Sequence, residues 1–321
     1  MTQDTKSAGS ALVGEPHSRW LRILRIVVLL VFATLTIYGG YLLVVNDWRG
    51  IAAFWLNRRG LLLLGFMLSC CDICTDGFIW TRILRQNGIR LGCRRSILLF
   101  LLGYAGQLMP VQLGRFFRAT ELSRLYGVPL SVSTRAELTL LAFVMLSSVS
   151  VFLGALLFSW SRPLGLILPF LLIPTGLFIA DLIVPRIPKL PIRWEKGYWR
   201  CPSTLLLGLL SGLGWIYNGT ILFLIFHEVT SVLHLQQTVM IVTSNLFVGV
   251  CSGLPGGLGI TETYIGAMMY WLSTPPEHLV IAVAAFRIIT FWSWIPVGWL
   301  ALLINSVFFG RPRPLEETPE R

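Results

Sequence analysis

The sequence predicts an all-α integral membrane protein, with about six full transmembrane helices plus two re-entrant broken segments arranged as an inverted repeat. Three observations lead to this fold class. The 321 residues are 55% hydrophobic and only 13% charged, with a mean hydropathy of +0.73, whereas soluble domains carry about 25% charged residues. Several apolar runs reach the ~20 residues that cross a bilayer. Two further apolar runs are interrupted by proline and glycine.

The apolar runs are expected to be helices because lipid offers backbone N–H and C=O groups no hydrogen-bond partner. The run that follows Arg25 is too long for the core of a signal peptide, so we expect it to be retained as the first helix. We place the full spans near 23–45, 60–81, 136–158, 164–184, 203–226 and 279–307. They form one transmembrane domain, 19–308, with repeat halves of roughly 60–158 and 203–307, between polar tails at 1–18 and 309–321.

The basic residues indicate the orientation. The formal net charge is +11, which in a membrane protein reflects Lys and Arg in cytoplasmic loops, so we expect no nucleic-acid partner. Five segments carry most of the 26 Lys and Arg residues: the N-terminal tail, 82–95, 115–135, 186–200 and the C-terminal tail. They fall on one side of the membrane only if each broken segment turns back within it. The positive-inside rule then places both termini in the cytoplasm.

The two broken segments share a pattern. Residues 108–114 read L-M-P-V-Q-L-G and residues 253–259 read G-L-P-G-G-L-G, so Pro, Leu and Gly recur at three corresponding positions. In the predicted topology the first break opens from the cytoplasm and the second from the outside. Paired Gly/Pro interruptions in inverted halves indicate the substrate site of many secondary transporters. The alternative is that each break merely kinks a packed helix.

Backbone groups freed at the breaks suggest a site for an anion. Half-helices that start near Gly114 and Gly259 would direct their N-termini towards the membrane midplane, where free N–H groups and the helix dipole favour a lipid phosphate. We therefore expect a headgroup site between the two tips. The candidate substrate-binding residues are Pro110, Gln112, Gly114, Arg115 and Arg118 at the first break, Pro255, Gly256, Gly257, Gly259 and Glu262 at the second, and Arg287 in the last span.

The charged residues near the breaks leave alternatives open. Arg115 and Arg118 suit a phosphate, because a planar guanidinium matches two of its oxygens, or they are orientation charges at the cytoplasmic mouth. Glu121 lies three residues beyond Arg118, so a helical ion pair between them is a further option. Glu262 and Arg287 either form a buried pair or leave Glu262 to carry a proton that drives transport.

Two acidic residues lie inside the second span. Asp72 and Asp76 share one helical face by their i, i+4 spacing. Buried carboxylates so close together favour holding a proton, which suits a proton relay that also includes Glu262; a partner for Arg287 is the simpler role. No catalytic, cofactor or metal pattern stands out, and the sequence has no Walker loop, dinucleotide fingerprint or zinc-protease helix.

At its breaks the sequence resembles the transmembrane region of lysylphosphatidylglycerol synthase, a flippase-like family of bacterial and archaeal membrane proteins. Leu254–Glu262 reads L-P-G-G-L-G-I-T-E, which is similar to the family's L-P-G-G-[LI]-G-x-x-E, and Arg287 follows downstream. Pro110–Ala119 reads P-V-Q-L-G-R-F-F-R-A against the family's P-G-x-x-G-[ED]-x-x-R-A. Val111 therefore replaces a glycine and Arg115 replaces an acid. The resemblance extends over about residues 20–308.

The resemblance implies a flippase or transporter that moves an anionic or modified lipid between the leaflets of a bacterial or archaeal cytoplasmic membrane. Relatives handle aminoacylated phospholipid, hopanoid or polyprenyl-linked substrates. Aminoacyl transfer in bifunctional relatives resides in a separate soluble domain, so we expect a transporter rather than an enzyme. The alternative is a membrane subunit or enzyme of lipid modification, in aminoacyl- or glycolipid synthesis. The expected partners are a membrane lipid and a second copy of the chain or a lipid-biosynthesis enzyme.

Overall fold

The computed structural model describes residues 49, 52–53, 56–107, 114–187, 192–229 and 233–309. Contacts divide the chain into two units, Met1–Leu56 and Asn57–Arg321. Little of the first unit is described, so the fold is that of the second. The predicted first span near 23–45, the predicted tail 1–18, residues 310–321, and the tip of the first break with Pro110 and Gln112 lie outside the described residues.

The second unit is built from α-helices, and its described residues contain no strand. Within this described part the helices are α1 (Arg59–Gln86), α2 (Cys93–Leu102), α3 (Gly114–Tyr126), α4 (Leu130–Phe158), α5 (Arg162–Ile183), α6 (Pro202–His227), α7 (Leu235–Cys251), α8 (Ile260–Trp271), α9 (Pro276–Arg287) and α10 (Trp294–Phe309). Short 3₁₀ turns occur at Gly103–Gly106 and Pro255–Gly257, and a π turn, Ile288–Trp292, joins α9 to α10. The predicted all-α fold is confirmed.

Five helical segments of the described chain are long and apolar enough to cross a membrane: Arg59–Gln86, Leu130–Phe158, Arg162–Arg186, Pro202–His227 and His278–Val307. They match five of the predicted spans, and the remaining one falls outside the described residues. Helix α5 exposes 63% of Leu166 and 65% of Phe170, which suits a helix that faces acyl chains. The chain is therefore a multi-pass membrane protein.

Helices α1 and α6 run antiparallel, as contacts at both of their ends show. The Arg58 and Glu228 side chains pair at 3.1 Å where α1 begins and α6 ends. Gln86 donates to the Ser203 hydroxyl at 2.9 Å where α1 ends and α6 begins. The two helices therefore share both ends of the bundle. Each loop of the structure can then be assigned to one of these two ends.

The described basic segments collect where α1 ends and α6 begins, which we call the basic end. Trp80, near the end of α1, donates to Glu137 at 2.7 Å, so α4 begins at this end too. The basic residues here are Arg82, Arg85, Arg90, Arg94, Arg95, Arg124, Arg135, Arg186, Arg193, Lys196 and Arg200. The predicted grouping of these segments on one side is confirmed, and their placement in the cytoplasm stays a prediction.

The chain reverses direction at the first break. A Cβ on Gly103 would strike the Arg118 side chain, and a Cβ on Gly114 would strike the backbone of Gly106. Residues before and after the tip therefore lie against each other in reverse order. Helices α2 and α3, with the turn between them, form a helical hairpin, which we call the first hairpin; it begins and ends at the basic end.

The chain also reverses direction at the second break. The hydroxyl groups of Ser244 in α7 and Tyr264 in α8 lie 2.6 Å apart. A Cβ on Gly257 would lie only 3.3 Å from the Cα of Gly249. Helices α7 and α8 therefore form the second hairpin. It starts at the end opposite to the basic end, because α6 finishes there.

The helices pack in a reciprocal pattern. Helix α1 lies against α6, α4 lies against α7 of the second hairpin, and α10 lies against α2 and the Gly103–Gly106 turn of the first hairpin. The last span of each predicted half thus covers the hairpin of the other half. Two inverted halves at 60–158 and 203–307 would pack in this way, although their equivalence stays a prediction.

Replacement of Gly298 by alanine tests how closely α10 approaches the first hairpin. A Cβ at this position would strike the backbone of Tyr104 and Ala105. We expect Gly298→Ala to lower the unfolding free energy by about 1–3 kcal/mol, measured by thermal unfolding in detergent. Gly266→Ala is the matched control, because a Cβ on Gly266 has no neighbouring atom within 4 Å. Equal stability of the two variants would contradict the close approach.

Cys201 tests which side of the membrane the basic end faces. Its side chain is exposed at the start of α6, and hydrogen bonds with Ser203 lower the pKa of its thiol, which favours the reactive thiolate. In a variant with Cys201 as its single cysteine, we expect a membrane-impermeant maleimide to label inside-out vesicles but not intact cells. Ser159→Cys as the single cysteine, at the opposite end, should show the reverse. Labelling of Cys201 in intact cells would invert the predicted orientation.

Candidate functional site: a cavity between two hairpins

A cavity of about 280 Å³ lies between the two hairpins, and helices α1, α4, α6 and α9 complete its wall. Residues of both hairpins line it, together with polar side chains of the spans. Among the predicted site residues, those that line the cavity are Gly114 and Arg118 from the first hairpin, Gly256 and Gly257 from the second, Asp72 and Asp76 from α1, and Arg287 from α9. Residues from both breaks therefore meet in one cavity.

Glycine permits the tight turn at the second tip. Gly256, Gly257 and Gly259 have φ angles of +58°, +67° and +79°, a region that residues with a Cβ rarely adopt. A Cβ on Gly256 would also strike the Phe291 ring. The second break is therefore a complete turn rather than a kink, and α8 starts directly after it at Ile260, as predicted.

Glu262 and Arg287 connect α9 to this tip. Nε of Arg287 donates to Oε1 of Glu262 at 2.6 Å, and Nη2 donates to the carbonyl of Gly256 at 3.0 Å. The other carboxylate oxygen of Glu262 accepts the N–H of Gly259 at 2.7 Å. The pair thus satisfies backbone groups that the turn leaves free. The predicted pairing of Glu262 with Arg287 is confirmed.

Arg118 lies buried between the first hairpin and α4. Its Nη2 donates to Oε2 of Glu137 at 2.6 Å, with the two side chains 4% and 1% exposed. The Trp80 indole donates to the other Glu137 oxygen at 2.7 Å, and the Phe100 ring centre lies 4.6 Å from the guanidinium carbon. The charge pair and the aromatic rings together hold the guanidinium in one position. Such burial rules out an orientation charge at the membrane surface.

Of the options considered for Arg118, the ion pair with Glu121 is wrong, because Arg118 pairs with Glu137. Glu121 pairs with Arg124 at 2.7 Å, and the Arg124 side chain is 56% exposed. Arg118 faces the protein interior. Water weakens the attraction between two charges less there than at the surface, so pairing with Glu137 is favoured. Glu137 was not predicted as a site residue. The sequence did contain a signal for it, because Glu137 is a charged residue inside the predicted apolar span 136–158, and charged residues in spans are often functional.

Asp72 and Asp76 both line the cavity from α1, which confirms that they share one face. The Asn218 amide of α6 donates to Asp72 at 2.8 Å. Arg287, the partner considered for them, pairs with Glu262 of the second hairpin. The aspartates lie on the side of the cavity where α1 meets α6.

Gly259 and Glu262 lie beside Arg287 at the second tip and are not among the lining residues. The side chains of Arg115 and Pro255, like Pro110 and Gln112, fall outside the described part of the chain. Within the described part, no group of three or more His, Cys, Asp or Glu side chains lies close enough to hold a metal ion.

Among the described residues of the wall, three amide side chains were not predicted from the sequence: Gln107, Asn218 and Asn245. A single amide in an apolar helix has no spacing pattern that would reveal a role. The available signal is the position of the amide deep within an apolar span, because polar side chains at that depth usually form hydrogen bonds to another helix.

The family model for the lysylphosphatidylglycerol synthase TM region matches residues 22–298. The match includes both breaks, both hairpins and every helix from α1 to α9. No curated protein sequence matches the chain. The resemblance carried by the two motifs is therefore confirmed over most of the chain.

Glu137→Ala tests the importance of the buried pair. The change leaves the Arg118 guanidinium buried without a countercharge, so we expect it to lower the unfolding free energy by about 3–5 kcal/mol. Adding Arg118→Met should recover most of that loss, because it removes the buried charge. Glu228→Ala breaks the exposed pair with Arg58 and should cost less than about 1 kcal/mol. Unfolding in detergent measures all three, and equal losses for the two single variants would contradict the assignment.

Proposed function

Because the chain belongs to the lysylphosphatidylglycerol synthase transmembrane-region family, we propose that it is a flippase-type transporter, which moves a lipid with an anionic headgroup between membrane leaflets. The membrane is the cytoplasmic membrane of a bacterium or archaeon, with the basic end and both termini on the cytoplasmic side. The headgroup binds in the cavity between the hairpins.

The cavity between the two hairpins is the single observation that carries this proposal. Its wall combines residues beside the two helical breaks with charged and amide side chains, in a protein whose spans expose large apolar side chains. Irregular backbone at membrane depth is tolerated where it is buried in protein or lines a polar cavity. Transporters with paired broken helices bind their substrates at such places.

Two helix starts at the cavity favour the phosphate of a lipid headgroup. Helix α3 begins at Gly114, and Thr261 lies in the first turn of α8; both residues line the cavity. The first N–H groups of a helix have no partner within it and carry partial positive charge. Arg118, held in place by Glu137, adds a guanidinium group. Together they provide donors to an anion from both hairpins.

The size of the cavity suits a headgroup and leaves the acyl chains in the bilayer. Pockets that enclose a drug-sized ligand are typically about 300–1,000 Å³, and this one is about 280 Å³. A phosphate with a small substituent fits that volume, whereas two acyl chains do not. We therefore propose that the headgroup crosses through the protein while the chains pass along its apolar surface.

The carboxylates give this transporter a means of coupling to protons. Asp72 and Asp76 line the cavity, and Asn218 bonds to Asp72 across the contact between α1 and α6. We propose these two as the proton relay. Glu262 was a third candidate, and its contacts with Arg287 and with the backbone of Gly259 favour a role in supporting the second tip.

The paired variant Arg118→Met with Glu137→Gln tests the site. It removes the guanidinium without leaving a buried unpaired charge, and glutamine keeps an acceptor for Trp80. We expect transfer of acyl-labelled phosphatidylglycerol between leaflets of reconstituted liposomes to fall about tenfold or more, because a hydrogen bond to a charged group is worth about 1.5–3 kcal/mol. Dithionite quenching of the label measures the transfer.

The matched control for this test is Glu121→Gln with Arg124→Gln, which removes the exposed ion pair on the same helix. Its transfer rate should equal that of the unmodified protein. Unchanged transfer in the Arg118 variant would remove Arg118 from the site. No transfer of any lipid by the unmodified protein, in either direction, would contradict the transport function itself.

A further inference from the structure

The last membrane-crossing segment is interrupted near its middle, where Ile288–Trp292 forms the π turn between α9 and α10. The Ser293 N–H donates to the Ile288 carbonyl at 3.0 Å, whereas in a regular helix it would donate to Ile289. Pro296 follows, and a proline disturbs the hydrogen bonds of the helical turn before it. π turns inside helices are rare and occur frequently at functional sites.

The π turn takes the regular N–H partner away from the Ile289 carbonyl, and two side chains take its place. This carbonyl accepts the Ser69 hydroxyl of α1 at 3.1 Å and the Trp294 indole N–H at 3.1 Å. The indole nitrogen also lies 2.9 Å from the Ser69 oxygen. All three residues are buried. We call these contacts the π node; they satisfy a carbonyl that lipid could not satisfy at membrane depth.

The helix before the π turn is fixed to the second hairpin. Arg287, the last residue of α9, donates to Glu262 of α8 at 2.6 Å and to the Gly256 carbonyl at 3.0 Å. Within the π turn, the Phe291 ring occupies the space that a Cβ on Gly256 would need. These contacts hold α9 and the second tip together.

The helix after the π turn is fixed to the first hairpin. Gly298 of α10 lies so close to the backbone of Tyr104 and Ala105 that a Cβ would strike it. The Trp294 ring centre lies 6.2 Å from that of Tyr104, and α10 also packs along α2. The last span is therefore attached to a different hairpin on each side of the π turn.

The hydrogen bonds of the π turn allow a second arrangement. If the Ser293 N–H moves from the Ile288 carbonyl to that of Ile289, it replaces the donors of the π node. The Ile288 carbonyl then keeps a partner, because the Ser293 hydroxyl already donates to it at 2.7 Å. Both carbonyls thus have a donor in either arrangement, so the exchange leaves no backbone group unpaired.

We propose that the π turn is the hinge of the last span, about which the second hairpin with α9 moves relative to the first hairpin with α10. The π node stabilises the arrangement of this structure, and the Ser293 hydroxyl stabilises the second one. Hinges in proteins are typically a few residues at the ends of elements. Thr290 and Phe291 of the π turn line the cavity, so this motion changes the shape of its wall.

Spin labels on the two sides of the π turn test the hinge in a variant without the six native cysteines. Gly266→Cys on α8 and Leu303→Cys on α10 form the pair across the hinge; a Cβ on Gly266 has no neighbour within 4 Å, and Leu303 is exposed. Pulsed electron paramagnetic resonance in liposomes should show two distances for this pair. Ile97→Cys on α2 with Leu303→Cys is the control pair on one side of the hinge, and it should show one distance.

Two serine variants should shift the populations of the two distances in opposite directions. Ser69→Ala removes a hydrogen bond of the π node and should lower the population of the first arrangement about two- to tenfold, as expected for one neutral hydrogen bond. Ser293→Ala should raise it by a similar factor. Ser148→Ala is the matched control, because the buried Ser148 hydroxyl donates to the Thr243 carbonyl at 2.8 Å between α4 and α7. It should leave the populations unchanged.

A single distance across the hinge in the unmodified serine background would overturn the proposal. Shifts in the same direction for Ser69→Ala and Ser293→Ala, or a shift in Ser148→Ala as large as theirs, would also overturn it. Thermal unfolding of each variant verifies that the distances come from folded protein. The inference goes beyond the proposed transport function, since the distances are measured without a substrate. A failed hinge therefore leaves lipid transfer to its own assay, and failed lipid transfer does not remove the two distances.

Discussion

An unpaired backbone amide or carbonyl is so costly within a bilayer that each helical break depends on how its freed groups are satisfied. At the second tip, Glu262 accepts the N–H of Gly259, and Arg287 donates to the carbonyl of Gly256. The two side chains also pair at 2.6 Å, so their charges balance. This one set of contacts permits an irregular turn among apolar helices. The turn then forms part of the cavity wall.

A charge pair of the same kind accompanies each hairpin, with the signs exchanged. The first hairpin carries Arg118, and the following span carries its partner Glu137; the second hairpin carries Glu262, and the following span carries Arg287. Each pair joins the second helix of a hairpin to the span after it. Because a buried charge is stable only with its countercharge, these pairs hold the second helix of each hairpin against the span that follows it.

In the proposed transport function, the same pairing affects how tightly the cavity holds an anion. A transporter must bind its substrate well enough to accept it and weakly enough to release it, as conducting pores also do. Guanidinium groups already matched by carboxylates hold a phosphate less tightly than uncompensated ones. The amides of Gln107 and Asn245 also line the cavity, so its wall offers uncharged hydrogen-bonding groups as well.

The sequence by itself determined the helical membrane fold, five of the spans and the positions where α3 and α8 begin. Those features are local: apolar length decides a span, and proline and glycine act on their own neighbours. Only the tertiary structure decided the partner of Arg118, because Glu121 lies three residues away, whereas Glu137 lies 19 residues away in the chain. Gln107 and Asn245 show the same limit. They come together in one cavity wall only when two hairpins from opposite ends meet, and no local spacing records that packing.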